Sequence, residues 1–145
     1  MIYPYRAFPL DQTDPVTKLD FAWRPALKVL IWYNHKRTAP IESIVDTGAD
    51  HCIFDAELGE ALGIPVTKGD RCQLLGFAKG ASAMGFVHKV ALTVAAHRIE
   101  TRVVFAYGIA STGILGQHGF FDHFTVTFDW TPDPPCFDLR RIPRN

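Results

Sequence analysis

Ser43-Ile44-Val45-Asp46-Thr47-Gly48-Ala49-Asp50 sets two apolar residues ahead of a carboxylate, a short hydroxyl and a glycine. The apolar pair reads as the end of a strand, after which Asp46 is presented on a tight turn. Gly48 lets the backbone come close to its neighbours or to a ligand, where a Cβ would obstruct. The Thr47 hydroxyl is short enough to bond nearby backbone and lock the turn. An acid on a rigid loop at a strand end is a common placement for a catalytic group. Taken alone, Asp-Thr-Gly is equally good turn chemistry, with the carboxylate satisfied by its own backbone.

A second signature lies downstream. Thr112-Gly113-Ile114-Leu115-Gly116 precedes Phe120, Phe121, Phe124, Val126 and Phe128, and its two bulky residues and glycine predict a strand packed behind the Asp46 turn. Upstream, Ala26–Tyr33 is rich in β-branched and aromatic residues and reads as a buried strand. A polar turn at residues 34–37 and a returning strand at 40–45 complete a hairpin. Asp55 caps a short predicted helix over 55–62, with Leu58, Ala61 and Leu62 on one face, and Gly63 and Pro65 stop it. Strands follow at 71–75, 86–94 and 98–106, the last two joined by a turn at Ala96-His97, then at 125–129 and 136–139. A second helical piece is expected near 117–124. Pro4, Pro9 and Pro15 forbid a helix in residues 1–18, which read as an extended arm ahead of one domain at 19–145. The class is mainly β, a small closed barrel or folded sandwich.

At 145 residues, 48% hydrophobic and 21% charged, the chain suits one soluble domain with a real core. Fifteen basic and fifteen acidic side chains cancel. Overall charge therefore gives no reason to expect nucleic acid or an anionic membrane as partner, and it offers little repulsion against self-association. Cys52, Cys72 and Cys136 match no disulfide framework or zinc spacing. The opening MIYPYRAFPL lacks the pattern of a secretory signal, and no stretch is long enough to span a membrane. A reducing cytoplasm is the expected address.

The ordered pair of motifs resembles the retropepsin-like aspartic proteases, the clan of retroviral proteases and their shorter bacterial relatives. That family runs two apolar residues, Asp-Thr-Gly-Ala, then a later apolar-apolar-Gly; here these are Ile44-Val45-Asp46-Thr47-Gly48-Ala49 and Ile114-Leu115-Gly116. The resemblance spans roughly residues 25–129. It implies an acid-protease closed barrel with one or two short helices and a flap hairpin, the flap falling at about residues 74–86. It implies Asp46 as the catalytic acid, with Thr47, Gly48 and Ala49 supporting its loop. Substrate would contact Gly48, Asp50, the flap residues Gly76, Phe77, Ala78, Lys79 and Gly80, and Ile114, Leu115 and Gly116. Only one Asp-Thr-Gly is present, so the resemblance implies a homodimer whose second Asp46 completes the pair, a peptide or protein substrate, and no metal or cofactor. Where retroviral members carry Gly-Arg-Asn, this chain has Gly116-Gln117-His118. The charged partner for Asp50 is gone, and a Gln117 hydrogen bond is the available substitute. A reading from another class is a catalytically silent dimerisation or peptide-binding module of the same fold.

Other residues carry less. His51, Cys52, His118 and His123 are candidates to gather around a metal, but no pair has the short spacing of a structural zinc site. Neither Cys52 nor Cys72 has a nearby base in sequence to make it a nucleophile. The phenylalanine set reads as core, and Arg140, Arg141 and Arg144 as a solvated basic tail.

Overall fold

The computed structural model describes residues 1–75 and 83–144. Thirteen strands are present among them: β1 (Ile2–Pro4), β2 (Arg6–Pro9), β3 (Phe21–Arg24), β4 (Ala26–Tyr33), β5 (Lys36–Arg37), β6 (Ile41–Val45), β7 (Ile53–Asp55), β8 (Asp70–Leu74), β9 (Ala83–Val94), β10 (His97–Ala106), β11 (Gly113–Leu115), β12 (Phe124–Asp129) and β13 (Cys136–Arg141). The largest sheet runs β5-β4-β6-β11-β7-β10-β9-β8, and a further pairing of β4 with β9 closes six of these strands into a ring. The expected mainly-β closed barrel is therefore what the chain forms. No helix among the described residues is long and apolar enough to cross a membrane.

Alternation explains the closure. In β4 the side chains of Leu27, Val29 and Ile31 are buried, while Lys28 between them is exposed, so one face of the strand turns to the core. The interior gathers Ile31, Leu92, Ile99, Phe105 and Leu115, with Phe120, Phe124 and Phe137 closing one end. Each fully buried side chain of this size contributes about 1.5–3 kcal/mol. The end of β10 is buried on both faces. Val103 and Phe105 join the main core, while Val104 and Ala106 join Ile53 and Leu74 in a second cluster beneath the cleft.

β11 is the element that positions the site. It lies between β6 and β7, parallel to the first, with Leu115 beside Val45, and antiparallel to the second, with Ile114 beside Ile53. Residues 46–52 arch over the gap between those two strands. Gly113 is required by space, since a Cβ there would sit 2.6 Å from both Phe54 and the Ser43 hydroxyl. Outside the barrel, β1, β13 and β12 form a three-stranded sheet and β2 pairs with β3. Tyr5, between β1 and β2, is buried against Phe137.

Several local expectations need correction. Residues 117–124 form turns rather than a helix. Gly119 adopts φ +105, and Phe121 N–H and Asp122 N–H donate five residues back, to Gly116 and Gln117, which is not the helical ladder. The first hairpin turn is only Asn34-His35, both at positive φ, and Lys36–Arg37 already pairs as β5. The β9–β10 turn is Ala95-Ala96, one residue earlier than expected, again at positive φ. Helix α1 (Ala56–Ala61) is capped by Asp55, whose Oδ1 accepts from Glu57 N–H at 3.1 Å, as expected. Its buried face is Ala56 and Gly59 rather than Ala61, because Gly59 packs against Val66 and Phe105 where a side chain would not fit.

Candidate active site

Asp46 follows β6 directly and is half-buried. Its N–H donates to Leu115 O at 3.0 Å, its Oδ1 accepts from Gly48 N–H at 2.8 Å, and its carbonyl accepts from Ala49 N–H at 3.3 Å. The carboxylate thus closes a turn on its own backbone, while its second oxygen is left to other partners. Both the local reading of Asp-Thr-Gly and the placement of an acid at a strand end apply to the same residue.

The second motif braces this loop from behind. Gln117 N–H donates to Ala49 O and His118 N–H to Asp50 O, each at 2.9 Å. The Gln117 side chain donates from Nε2 to Thr47 O at 2.9 Å. It therefore fixes the loop through Thr47 and does not bond Asp50. Gly116 lets the two segments meet, because a Cβ there would lie 2.3 Å from His51 O and 2.7 Å from Ala49 O. Cys52 is fully buried beneath, and burial pushes its thiol up to about 12 despite a bond with the Gly116 backbone. It is no nucleophile at neutral pH.

In front of the loop lies a cleft of about 270 Å³ lined by Asp46, Gly48, Ala49, Asp50, His51, Ile53, Gln73, Leu74, Leu75 and Ile114. Among the sequence-predicted residues, Asp46, Gly48, Ala49, Asp50 and Ile114 come together here. Thr47 is exposed at the tip of the turn, whereas Leu115 and Gly116 are buried behind it. Gly76, Phe77, Ala78, Lys79 and Gly80 lie outside the described residues. Sequence reasoning missed His51, Ile53 and Gln73, and reached Leu74 and Leu75 only as the start of the expected flap. Ile53 belongs to β7 and Gln73 and Leu74 to β8, while His51 and Leu75 flank those strands. The lining mixes the carboxylates of Asp46 and Asp50, the His51 ring and the Gln73 amide with the apolar side chains of Ile53, Leu74, Leu75 and Ile114.

The histidines disperse. His51 and His118 pair across adjacent segments with rings 5.9 Å apart, but His123 is buried elsewhere, against Arg141 and Arg144. Burial, with some help from those two guanidiniums, lowers the His123 pKa, and Asp122 opposes the shift. Among the described residues no three His, Cys, Asp or Glu side chains gather to hold a metal.

A single Asp-Thr-Gly loop, braced by an apolar-apolar-Gly strand threaded between β6 and β7 of a small barrel, is the arrangement of the retropepsin-like fold. The chain belongs to the aspartyl protease family, whose model matches residues 33–118, a span that holds both motifs and the lining of the cleft. Among solved structures it is similar to a retropepsin-like aspartic protease from Rickettsia conorii, at 16% identity over 78% of this chain and 89% of that one, with a TM-score of 0.56. That likeness is one of fold. It is also similar to EIAV protease complexed with the inhibitor HBY-793 (28% identity, 65% and 82% covered, TM-score 0.46). A further similar structure is the retroviral protease-like domain of Ddi1 from Leishmania major (19% identity, 70% and 80% covered, TM-score 0.49). No curated protein matches the chain.

Proposed function

We propose that the chain is an aspartic endopeptidase that works as a homodimer, hydrolysing extended peptide segments with water activated between Asp46 and the Asp46 of a second copy. The observation that carries this reading is the Asp46 carboxylate itself. It is held by Gly48 N–H on a loop braced from behind, and it opens on a cleft of about 270 Å³ whose lining is mixed polar and apolar. Amide hydrolysis needs a base to take the proton of water and an acid to protonate the tetrahedral intermediate. Two adjacent carboxylates do both, because like charges in contact cannot both ionise and one proton is shared between them.

One copy supplies one such carboxylate, so a twofold partner completes the pair. In this arrangement the exposed Thr47 braces the pair across the axis, and the Gly48 carbonyl and the Asp50 side chain receive the peptide backbone. Ile114 contributes an apolar wall. Leu115 and Gly116 act on substrate through the loop they support.

Peptide-library cleavage across acid to neutral pH, with sedimentation run in parallel, compares wild type with Asp46→Asn. Cleavage that tracks the dimer and disappears in the nearly isosteric variant supports the dyad. Cleavage surviving in Asp46→Asn refutes the assignment. A stable dimer inactive in both forms favours the silent module instead.

A further inference from the structure

Overall neutrality hides an uneven distribution of charge. On the outer wall of the barrel β4, β9 and β10 run side by side, and residues paired across them share a face. Lys89 stands directly opposite Arg102, Ala91 opposite Glu100 and Thr93 opposite Arg98. Trp32 pairs with Ala91 on one side and with Arg37 on the other. Because Ala91 and Thr93 are short, the Arg98 guanidinium reaches over them to lie 5.0 Å from the Trp32 ring centroid, and Arg37 approaches the same ring at 5.7 Å. The indole is pinned in turn, donating from Nε1 to Thr93 Oγ1 at 2.8 Å. One aromatic ring therefore holds two guanidiniums in place.

Arg37, Lys89, Arg98 and Arg102 are all exposed. Against these four cations stands Glu100, 4.0 Å from Arg98. No other ion pair engages any of the four among the described residues. Like charges directly opposite one another, as Lys89 and Arg102 are, destabilise a sheet, and no ion pair of either offsets this among the described residues. Beside them the turn at Asn34-His35 walls a groove of about 200 Å³ that Trp32, Lys89, Ala91, Arg98 and Glu100 also line.

We propose that this wall is a docking surface for an acidic segment of a protein partner, with Asp or Glu carboxylates paired to Lys89 and Arg98 and steered by Arg37 and Arg102. Carboxylates match the planar fork of a guanidinium. Glu100 stands among the four cations and the chain carries no net charge, which gives the uniform phosphate backbone of a nucleic acid little purchase here. Ala91 lies eight residues along β9 from Ala83, the partner of cleft residue Leu74. At strand spacing that is roughly 26 Å, so docking here leaves the cleft free and does not depend on its chemistry.

Fluorescence anisotropy of a labelled oligo-glutamate peptide, titrated with the full chain at low salt, tests the proposal. Saturable binding is expected, weakened about tenfold or more in Lys89→Ala and in Arg98→Ala, and lost steeply as salt is added. Lys89→Ala leaves the Trp32 stack intact, so it separates loss of charge from loss of packing. Absence of saturable binding, or binding unchanged in both variants, overturns the proposal. Tighter binding of a single-stranded oligonucleotide of equal charge also overturns it, in favour of nucleic acid. Binding that appears only as self-association in sedimentation overturns it in favour of a second copy of the chain.

Discussion

Replacing Gly116 by Ala adds a single methyl group at the most crowded point behind the active-site loop. The new Cβ would lie 2.3 Å from His51 O and 2.7 Å from both Ala49 O and His51 C, all backbone atoms. Real Cβ contacts do not fall under 3.0 Å, so the loop and β11 must part by roughly 0.7 Å. Overpacking of this kind costs about 1–3 kcal/mol. The three hydrogen bonds from Gln117 and His118 to Thr47, Ala49 and Asp50 are worth about 1 kcal/mol each when well made, and their partial loss brings the total to about 2–4 kcal/mol. For a chain of this size that is a fall in Tm of about 6–12 °C. Displacing the Asp46 loop by a sizeable part of an ångström should lower turnover about a hundredfold. Calorimetry measures the first effect and peptide cleavage the second. Gly63→Ala is the control. Gly63 has φ +85 and open space around it, so its substitution strains the backbone by about 1 kcal/mol while leaving turnover alone. A Gly116→Ala protein that melts within about 1 °C of wild type would refute the claim that this glycine is kept for space.

Cys52, with its thiol pushed up to about 12, should resist alkylation at pH 8 in the native protein, while the half-buried Cys72 and Cys136 react; peptide mapping by mass spectrometry reads this directly, and modification of native Cys52 at the rate of the other two would contradict it. His123 has a folded pKa below its unfolded value, so its contribution to stability is complete above about pH 6.5 and fades as pH falls through the folded pKa. Urea midpoints should drop on that acid side, and His123→Gln should drop less over the same window; parallel curves for the two proteins would remove His123 from the account.

The core of this architecture was legible because its signals are local. Ala26–Tyr33 alternates against one face, Asp55 offers a cap three residues after Cys52, and the two motifs name the loop and the strand behind it. What escaped were elements decided by tertiary partners. Ile53–Asp55 is too short to announce itself as a strand and becomes one because β10 and β11 flank it. Residues 117–124 are expected to hold a helical piece, yet Gly119 takes positive φ and His118 is drawn into pairing with His51. The cleft showed the same division. Asp46, Gly48, Ala49, Asp50 and Ile114 belong to motifs with their own chemistry, whereas Ile53, Gln73 and Leu74 line it only because β7 and β8 carry them there. Leu115 and Gly116 belong to a motif too, but their place is behind the loop.

The threading of β11 between β6 and β7 has a kinetic side. Leu115 must find Val45, seventy positions away in sequence, and no hairpin can bring them together. Contacts of such long range are the slow ones in folding, because the entropy of closing the loop is lost before the contact rewards it. The brace on the Asp46 loop therefore forms only once the barrel is nearly complete. During synthesis the Asp-Thr-Gly segment emerges early, yet it stays unsupported until the chain has been extended past Gln117. A nascent or nicked chain that lacks this late strand has no brace on the Asp46 loop, so the loop is organised only when the whole domain is made.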